Sequence, residues 1–230
     1  MARTSLVTPA IAAGPGEWSA RHETIHIDIG TGDGRYALDL ARREPSRGVV
    51  GLDTNLDHLV VHPRRMPANL RFIAADARSI PPELAGRAAT LSINFPSSGL
   101  LTGLLGGDVA LLASLATVLA PGGRIDVRVN ARALVEEGVS LTEAGSRVER
   151  ALRLMGLVST KTTTLGAADL RCFPSTWAKR AGFGRDPHAV EISGRSCGYI
   201  VRSEPALDSR RAQLQLRPDV YTTRNASGRD

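Results

Sequence analysis

The chain has 230 residues, enough for one domain with a sizeable core, and 42% of them are apolar, as in an ordinary globular protein. Lys plus Arg outnumber Asp plus Glu by 29 to 23, and the excess is almost wholly arginine, the only lysines being Lys161 and Lys179. Two cysteines, Cys172 and Cys197, exclude a disulfide scaffold, the apolar run Val109–Ala120 is too short to span a bilayer, and the arginine excess favours a phosphate-bearing partner.

The opening "MARTSLVTPAIAAGPGE" is broken by Pro9 and does not read as a signal peptide, so a cytoplasmic protein is expected, with no membrane partner. "TIHIDIG" (Thr24–Gly30) reads as a strand entering a Gly-rich turn, and "GRYALDLARREP" as a helix that ends before Pro45. "GVVGLD" (Gly48–Asp53) is a second strand, residues 55–66 a short helix, and "LRFIAAD" (Leu70–Asp76) a third strand. "ATLSINF" (Ala89–Phe95) is a fourth. Residues 99–119 read as one long apolar helix, "PGG" at 121–123 as a turn, and "RIDVRVN" (Arg124–Asn130) as a fifth strand. A helix over 146–156, a strand over 157–165, a short helix near 175–181 and a strand over 189–193 complete the pattern. Strands alternating with helices predict βαβ units and a parallel sheet covered on both faces. The expected fold is α/β, a doubly wound and mostly parallel seven-stranded sheet of the Rossmann-like kind. Residues 1–23 read as an N-terminal extension, 24–202 as the domain, and the Arg-rich 203–230 as a polar mobile tail.

"DIGTGDG" (Asp28–Gly34) is the most informative heptad. Gly30, Gly32 and Gly34 allow a sharp turn and close approach of backbone to a ligand. The spacing is G-x-G-x-G rather than G-x-G-x-x-G, and no basic residue in the loop awaits a pyrophosphate. It therefore fits S-adenosylmethionine better than a dinucleotide, and a dehydrogenase is disfavoured. Asp53, which closes the second strand, suits the ribose hydroxyls of an adenosine, and Asp76, which closes the third, can accept from an adenine amino group. Thr31 in the loop and Asn94 at the end of the fourth strand complete the expected cofactor set of a class I methyltransferase.

The stretch "INFPSSGLLT" (Ile93–Thr102) ends a buried strand on Asn-Phe-Pro-Ser. Ligands of open α/β sheets sit at the carboxyl ends of the strands, so Pro96 and Ser97 read as a pocket lip facing the transferable group. As a plain turn, Ser97 or Ser98 would simply cap the next helix. "RCFPSTWAKRAGFGRDP" (Arg171–Pro187) sets Trp177 among Lys179, Arg180 and Arg185, a pattern that suits base stacking with phosphate clamping. His58 and His62 lie four apart, but no third ligand accompanies them and no metal is expected.

The segments "HIDIGTGDGRYALDLARREPSRGVVGLD", "FPSSGLLTGLLG" and "STWAKR" resemble the 16S rRNA adenine-N1 methyltransferases of aminoglycoside producers and resistant pathogens. The resemblance runs over about Thr24–Ser193. It implies methylation of a decoding-site adenine in the assembled 30S subunit, with S-adenosyl-L-methionine as methyl donor and aminoglycoside resistance as the outcome. In that family two tryptophans sandwich the flipped adenine. Trp177 matches the second, and Ser97 occupies the position of the first. Trp177, Ser97 and Pro96 would thus form the target site, with Lys179, Arg180 and Arg185 on rRNA phosphate, in a monomeric enzyme. The rival readings are a relative that keeps the cofactor with weak, lost or altered methylation, and a small-molecule methyltransferase.

Overall fold

The computed structural model describes residues 6–7, 15–60 and 66–196. Among them an eight-stranded sheet runs in the order β1-β4-β3-β2-β5-β6-β8-β7. The strands are β1 (Leu6–Val7), β2 (Ile25–Ile29), β3 (Gly48–Asp53), β4 (Leu70–Ala74), β5 (Ala88–Asn94), β6 (Leu119–Asn130), β7 (Leu157–Leu165) and β8 (Ala189–Ser196). β4, β3, β2, β5 and β6 are parallel; at one edge β8 pairs antiparallel with β6, and β7 antiparallel with β8. The seven expected strands are present. The eighth, β1, is two residues paired antiparallel with Phe72 and Ile73 of β4, too short for any periodicity to reveal.

The helices are α1 (Pro15–Ala20), α2 (Arg35–Arg43), α3 (Ser98–Gly106), α4 (Val109–Val118), α5 (Ala131–Val135), α6 (Leu141–Leu154), α7 (Ala167–Cys172) and α8 (Thr176–Gly182). The long helix expected over 99–119 is two helices bent by 94°. Gly107 ends α3 in the left-handed region at φ 71°, and the Asp108 carboxylate caps α4 by accepting from Leu111 N–H. No helix among the described residues is by itself long and apolar enough to cross a membrane. The helix expected over 55–66 does not form through residue 60: Asn55 Oδ1 accepts from the Asp57 N–H at 2.8 Å and closes a turn instead. Residues 61–65, with His62, and the tail 203–230 lie outside the described residues. α6 begins five residues earlier than the periodicity indicated, where Ser140 caps it. The expected 121–123 turn is an irregularity within β6, with Gly122 at φ 73°.

The two faces of the sheet differ. Ile25, Ile27, Ile29, Leu91, Ile93, Ile125, Val127, Val129 and Ile192 point to one face and meet α3, α4 and α6 in the main core, which Trp18 of α1 also joins. The opposite face carries two smaller apolar clusters. One lies under α2 with Val49, Leu70 and Phe72, the other under α7 and α8 with Phe95 and Ala189. Between them the strands present His26, Asp28, Thr90, Ser92, Asn94, Arg128 and Glu191. A polar row inside a doubly covered sheet is costly unless each group is hydrogen-bonded, and these groups bond one another.

Candidate active site

β2 lies between β3 and β5, the point where the chain's winding reverses and where open α/β sheets bind ligands. A cavity of about 560 Å³ opens there, within the range of small-molecule sites. Asp28, Gly30, Thr31, Gly32, Asp53, Asp76, Asn94, Pro96, Ser97 and Trp177 all line it. Ten residues from five separate places in the sequence thus share one cavity. Lys179, Arg180 and Arg185 are exposed and lie outside its lining.

Gly30, Gly32 and Gly34 have φ of 69°, 55° and 76°, so the left-handed turn needs residues without a β-carbon. A Cβ on Gly34 would strike Leu59 and Phe72 at 2.8 Å. The Gly32 N–H donates to Asp53 Oδ2 at 2.9 Å, which ties the loop to the end of β3, and Asp53 Oδ1 accepts from the Asn55 N–H. Asp76 Oδ1 accepts from the Arg78 N–H at 2.8 Å. Both carboxylates keep further acceptor capacity toward the cavity, as hydroxyl and amino donors require.

Asp28 is 2% exposed. Its Oδ2 accepts from Thr31 Oγ1 at 2.8 Å, and its Oδ1 from Ser92 Oγ at 2.7 Å and Asn94 Nδ2 at 2.9 Å. Burial raises its pKa to about 6, against these hydrogen bonds and the charge of Arg128. His26 sits between Thr90 Oγ1 (2.6 Å) and Ser92 Oγ (2.8 Å), and burial pushes it down to about 3, a neutral imidazole. Tyr36 of α2 and Phe173, between α7 and α8, stack at 5.2 Å.

At the lip, Phe95 and Ser98 are non-glycine residues in the left-handed region, at φ 54° and 47°. Such geometry costs on the order of 1–3 kcal/mol per residue and is characteristic of functional turns. Ser97 stands at the N-cap of α3 in extended conformation, yet its side chain makes no capping bond. Its hydroxyl is exposed at the mouth, and the plain-cap reading does not describe it. Across the cavity Trp177 is 56% exposed, with the Arg180 guanidinium 5.4 Å from its ring. Thr176 Oγ1 donates to Asp33 Oδ2 at 2.5 Å and ties the start of α8 to the glycine loop. Trp18, by contrast, is 3% exposed and donates to the Ala68 carbonyl, a core role.

Several residues here escaped the sequence reading: Ser92, Tyr36, Phe173, Arg128 and Glu191. Arg78 is another. Its guanidinium binds Asp108 at 2.8 Å and the Gly99 carbonyl at 3.1 Å, joining the Asp76 loop to α3 and α4. No cluster of three metal-ligating side chains exists among the described residues. His58 lines the cavity, and Cys172 is a free, exposed thiol.

Residues 10–196 match the family model described as NpmA, 16S rRNA (adenine(1408)-N(1))-methyltransferase. A 16S rRNA (adenine(1408)-N(1))-methyltransferase of Streptoalloteichus hindustanus is 28% identical over 183 residues, covering 73% of this chain and 84% of the relative. A tRNA (guanine-N(7)-)-methyltransferase of Anaeromyxobacter dehalogenans is 31% identical over 145 residues, 57% of this chain and 72% of that one. Among solved structures, the aminoglycoside resistance methyltransferase NpmB1 superposes with a TM-score of 0.61 at 26% identity, over 78% of this chain and 90% of its own.

Proposed function

Because the chain belongs to the 16S rRNA (adenine(1408)-N(1))-methyltransferase family, we propose that its cavity transfers methyl from S-adenosylmethionine to N1 of that adenine in the 30S subunit, giving aminoglycoside resistance. The observation that carries the assignment of residues is the single cavity running from Asp53 and Asp76 to Ser97 and Trp177. The residues present fit the cofactor. The glycine turn keeps backbone out of the cavity, two carboxylates suit a ribose and an adenine, and Asp28 suits an ammonium group. Bound there, the cofactor supplies a methyl group on a sulfonium.

Adenine N1 carries a free lone pair at neutral pH, so the step needs no general base. The protein's work is orientation and exclusion of water. Asp53 holds the ribose hydroxyls, Asp76 faces the adenine, and Asp28, with Thr31, Gly30, Gly32 and Asn94, holds the amino-acid end. Asn94 has both ends of its amide engaged, Nδ2 to Asp28 and Oδ1 to Arg128. Trp177 stacks the flipped base from one side, and Pro96 and Ser97 bound the other. Lys179, Arg180 and Arg185 hold rRNA phosphate on the outer surface. The chain acts as a monomer, and the ribosomal substrate puts the reaction in the cytoplasm. Residues 24–202 form the catalytic unit.

The test is transfer of labelled methyl to purified 30S subunits, with reverse transcription to map the stop. A stop at the decoding-site adenine is the expected result. The 31% identity to a tRNA guanine-N7 enzyme favours tRNA as the second substrate to try, and label appearing in tRNA instead of 30S subunits would overturn the rRNA assignment.

A further inference from the structure

Arg128 of β6 belongs to none of the motifs above, yet three parts of the site converge on it. Its Nη1 donates to Asn94 Oδ1 at 2.8 Å, and its Nη2 pairs with Glu191 Oε2 of β8 at 2.5 Å. Its guanidinium lies 4.9 Å over the ring of Phe173, the ring that stacks on Tyr36. Its backbone carbonyl accepts from the Phe95 N–H at 2.8 Å, so the same residue pins the strained turn of the lip. Sheet register brings this about, since Asn94 pairs with Arg128 and Arg128 with Glu191.

We propose that Arg128, anchored by Glu191, is a positioning residue for the methyl-transfer site, fixing the Asn94 amide so that Asp28 stays ionised toward the ammonium group of the cofactor. This rests on the cofactor assignment above. An amide has two orientations. A guanidinium on the oxygen leaves only the NH2 group for Asp28. The ion pair is mostly shielded, with side chains 13% and 21% exposed, so its geometry is held. The groups facing Asp28 are few: Thr31 from the loop, Ser92 and Asn94 from β5, Tyr36 from α2, His26 from its own strand, and Arg128 from β6, with Asp126 of β6 and Glu191 of β8 beyond them. Arg128 is the cation among them, because His26 is neutral.

An ion pair that only stiffened β6 against β8 would affect stability alone. The distinguishing experiment is calorimetric titration of S-adenosylmethionine from pH 5.5 to 8 on wild type, on the double variant R128M/E191M, which removes both charges together, and on Arg128→Lys, which keeps the charge beside Glu191 but lacks the second, separately placed nitrogen that reaches Asn94. A midpoint raised by about one pH unit makes affinity at pH 6 about fivefold weaker, while the proteins converge at pH 8. That convergence is the expected result for the double variant, with a smaller loss of the same form for Arg128→Lys. Affinity unchanged, or reduced equally at every pH, overturns the relay. Should the double variant not fold, Arg128→Lys decides alone, and a wild-type profile there refutes the proposal. Wild-type protein that fails to bind S-adenosylmethionine at any pH would instead refute the cofactor assignment on which the relay stands.

Discussion

Replacing Asp28 by Asn is expected to change how the cofactor-free protein responds to acid. The Asp28 pKa is raised from 3.8 to about 6 by burial. The folded value lies above the unfolded one, so the native state binds the proton more tightly. The stability this contributes is fully present below pH 3.8 and is lost as the pH rises through 6. The whole separation corresponds to about 3 kcal/mol, of which about 1.3 kcal/mol falls between pH 7 and pH 5. His26, hydrogen-bonded to the same Ser92, runs the other way: burial holds it down at about 3, so its contribution is present above 6.5 and lost as the pH falls. The two nearly cancel over pH 5–6, and the wild-type profile alone is therefore shallow. The difference between wild type and D28N isolates the carboxyl. Urea unfolding of both proteins without cofactor, in half-unit steps from pH 5 to 7.5, should show wild type gaining about 1.3 kcal/mol on D28N from pH 7 to pH 5. Parallel profiles would mean that Asp28 does not titrate in this window, and the argument for a strained, ionised carboxylate would fail with it.

Trp177→Ala should lower methyl transfer to 30S subunits by about ten- to a hundredfold, the equivalent of ~1–3 kcal/mol of base stacking, with S-adenosylmethionine affinity unchanged by calorimetry. Ser97→Trp should raise that activity, since the exposed serine makes no capping bond and leaves the target base stacked on one side only; an unchanged or lower rate in filter-based methyl counting would refute the one-sided lip. The double variant K179Q/R180Q should weaken 30S binding and reduce the slope of log affinity against log salt, by up to about 2 if both residues contact phosphate. Gly51→Ala should destabilise the fold by about 1–3 kcal/mol in the same unfolding assay, because its Cβ would lie 2.5 Å from Phe72 and 2.7 Å from Thr31 Oγ1.

What the sequence disclosed of the site follows from where each residue stands in the chain. Asp28, Asp53 and Asp76 each stand at or just past the carboxyl end of a strand of a βαβ pattern, and a parallel sheet puts such positions at one edge, so their shared cavity was readable from alternation and glycine spacing alone. Trp177 is different. It lies some 80 residues from the lip, and family resemblance rather than periodicity pointed to it. Arg128 was invisible for a physical reason. An arginine alternating with valines reads as the solvent side of a strand, and only sheet register shows that this side is covered and meets Asn94 and Glu191. The helix break at Gly107–Asp108 did have a signal, a glycine followed by an N-capping aspartate, but the apolar residues on both sides outweighed it. Over residues 55–60 the expected helix gave way to local side-chain bonding by Asn55, a competition that apolar spacing does not register.

The site's costs fall together at the ends of β2 and β5. Asp28 is buried in a setting that disfavours its charge, and Phe95 and Ser98 hold left-handed backbone at the lip. None of these features helps the cofactor-free fold. A hydroxyl-lined, uncharged strand end and a glycine in the turn would be more stable. Each cost has a counterpart in the proposed reaction: an ionised carboxylate receives an ammonium group, and a forced turn aims Pro96 and Ser97 into the cavity. Ligand that binds only the native state raises its stability by mass action. The cofactor should therefore stabilise wild type most where Asp28 is ionised, above pH 6, and much less in D28N. The residues that make the unliganded protein less stable are, on this account, the ones through which binding restores that stability.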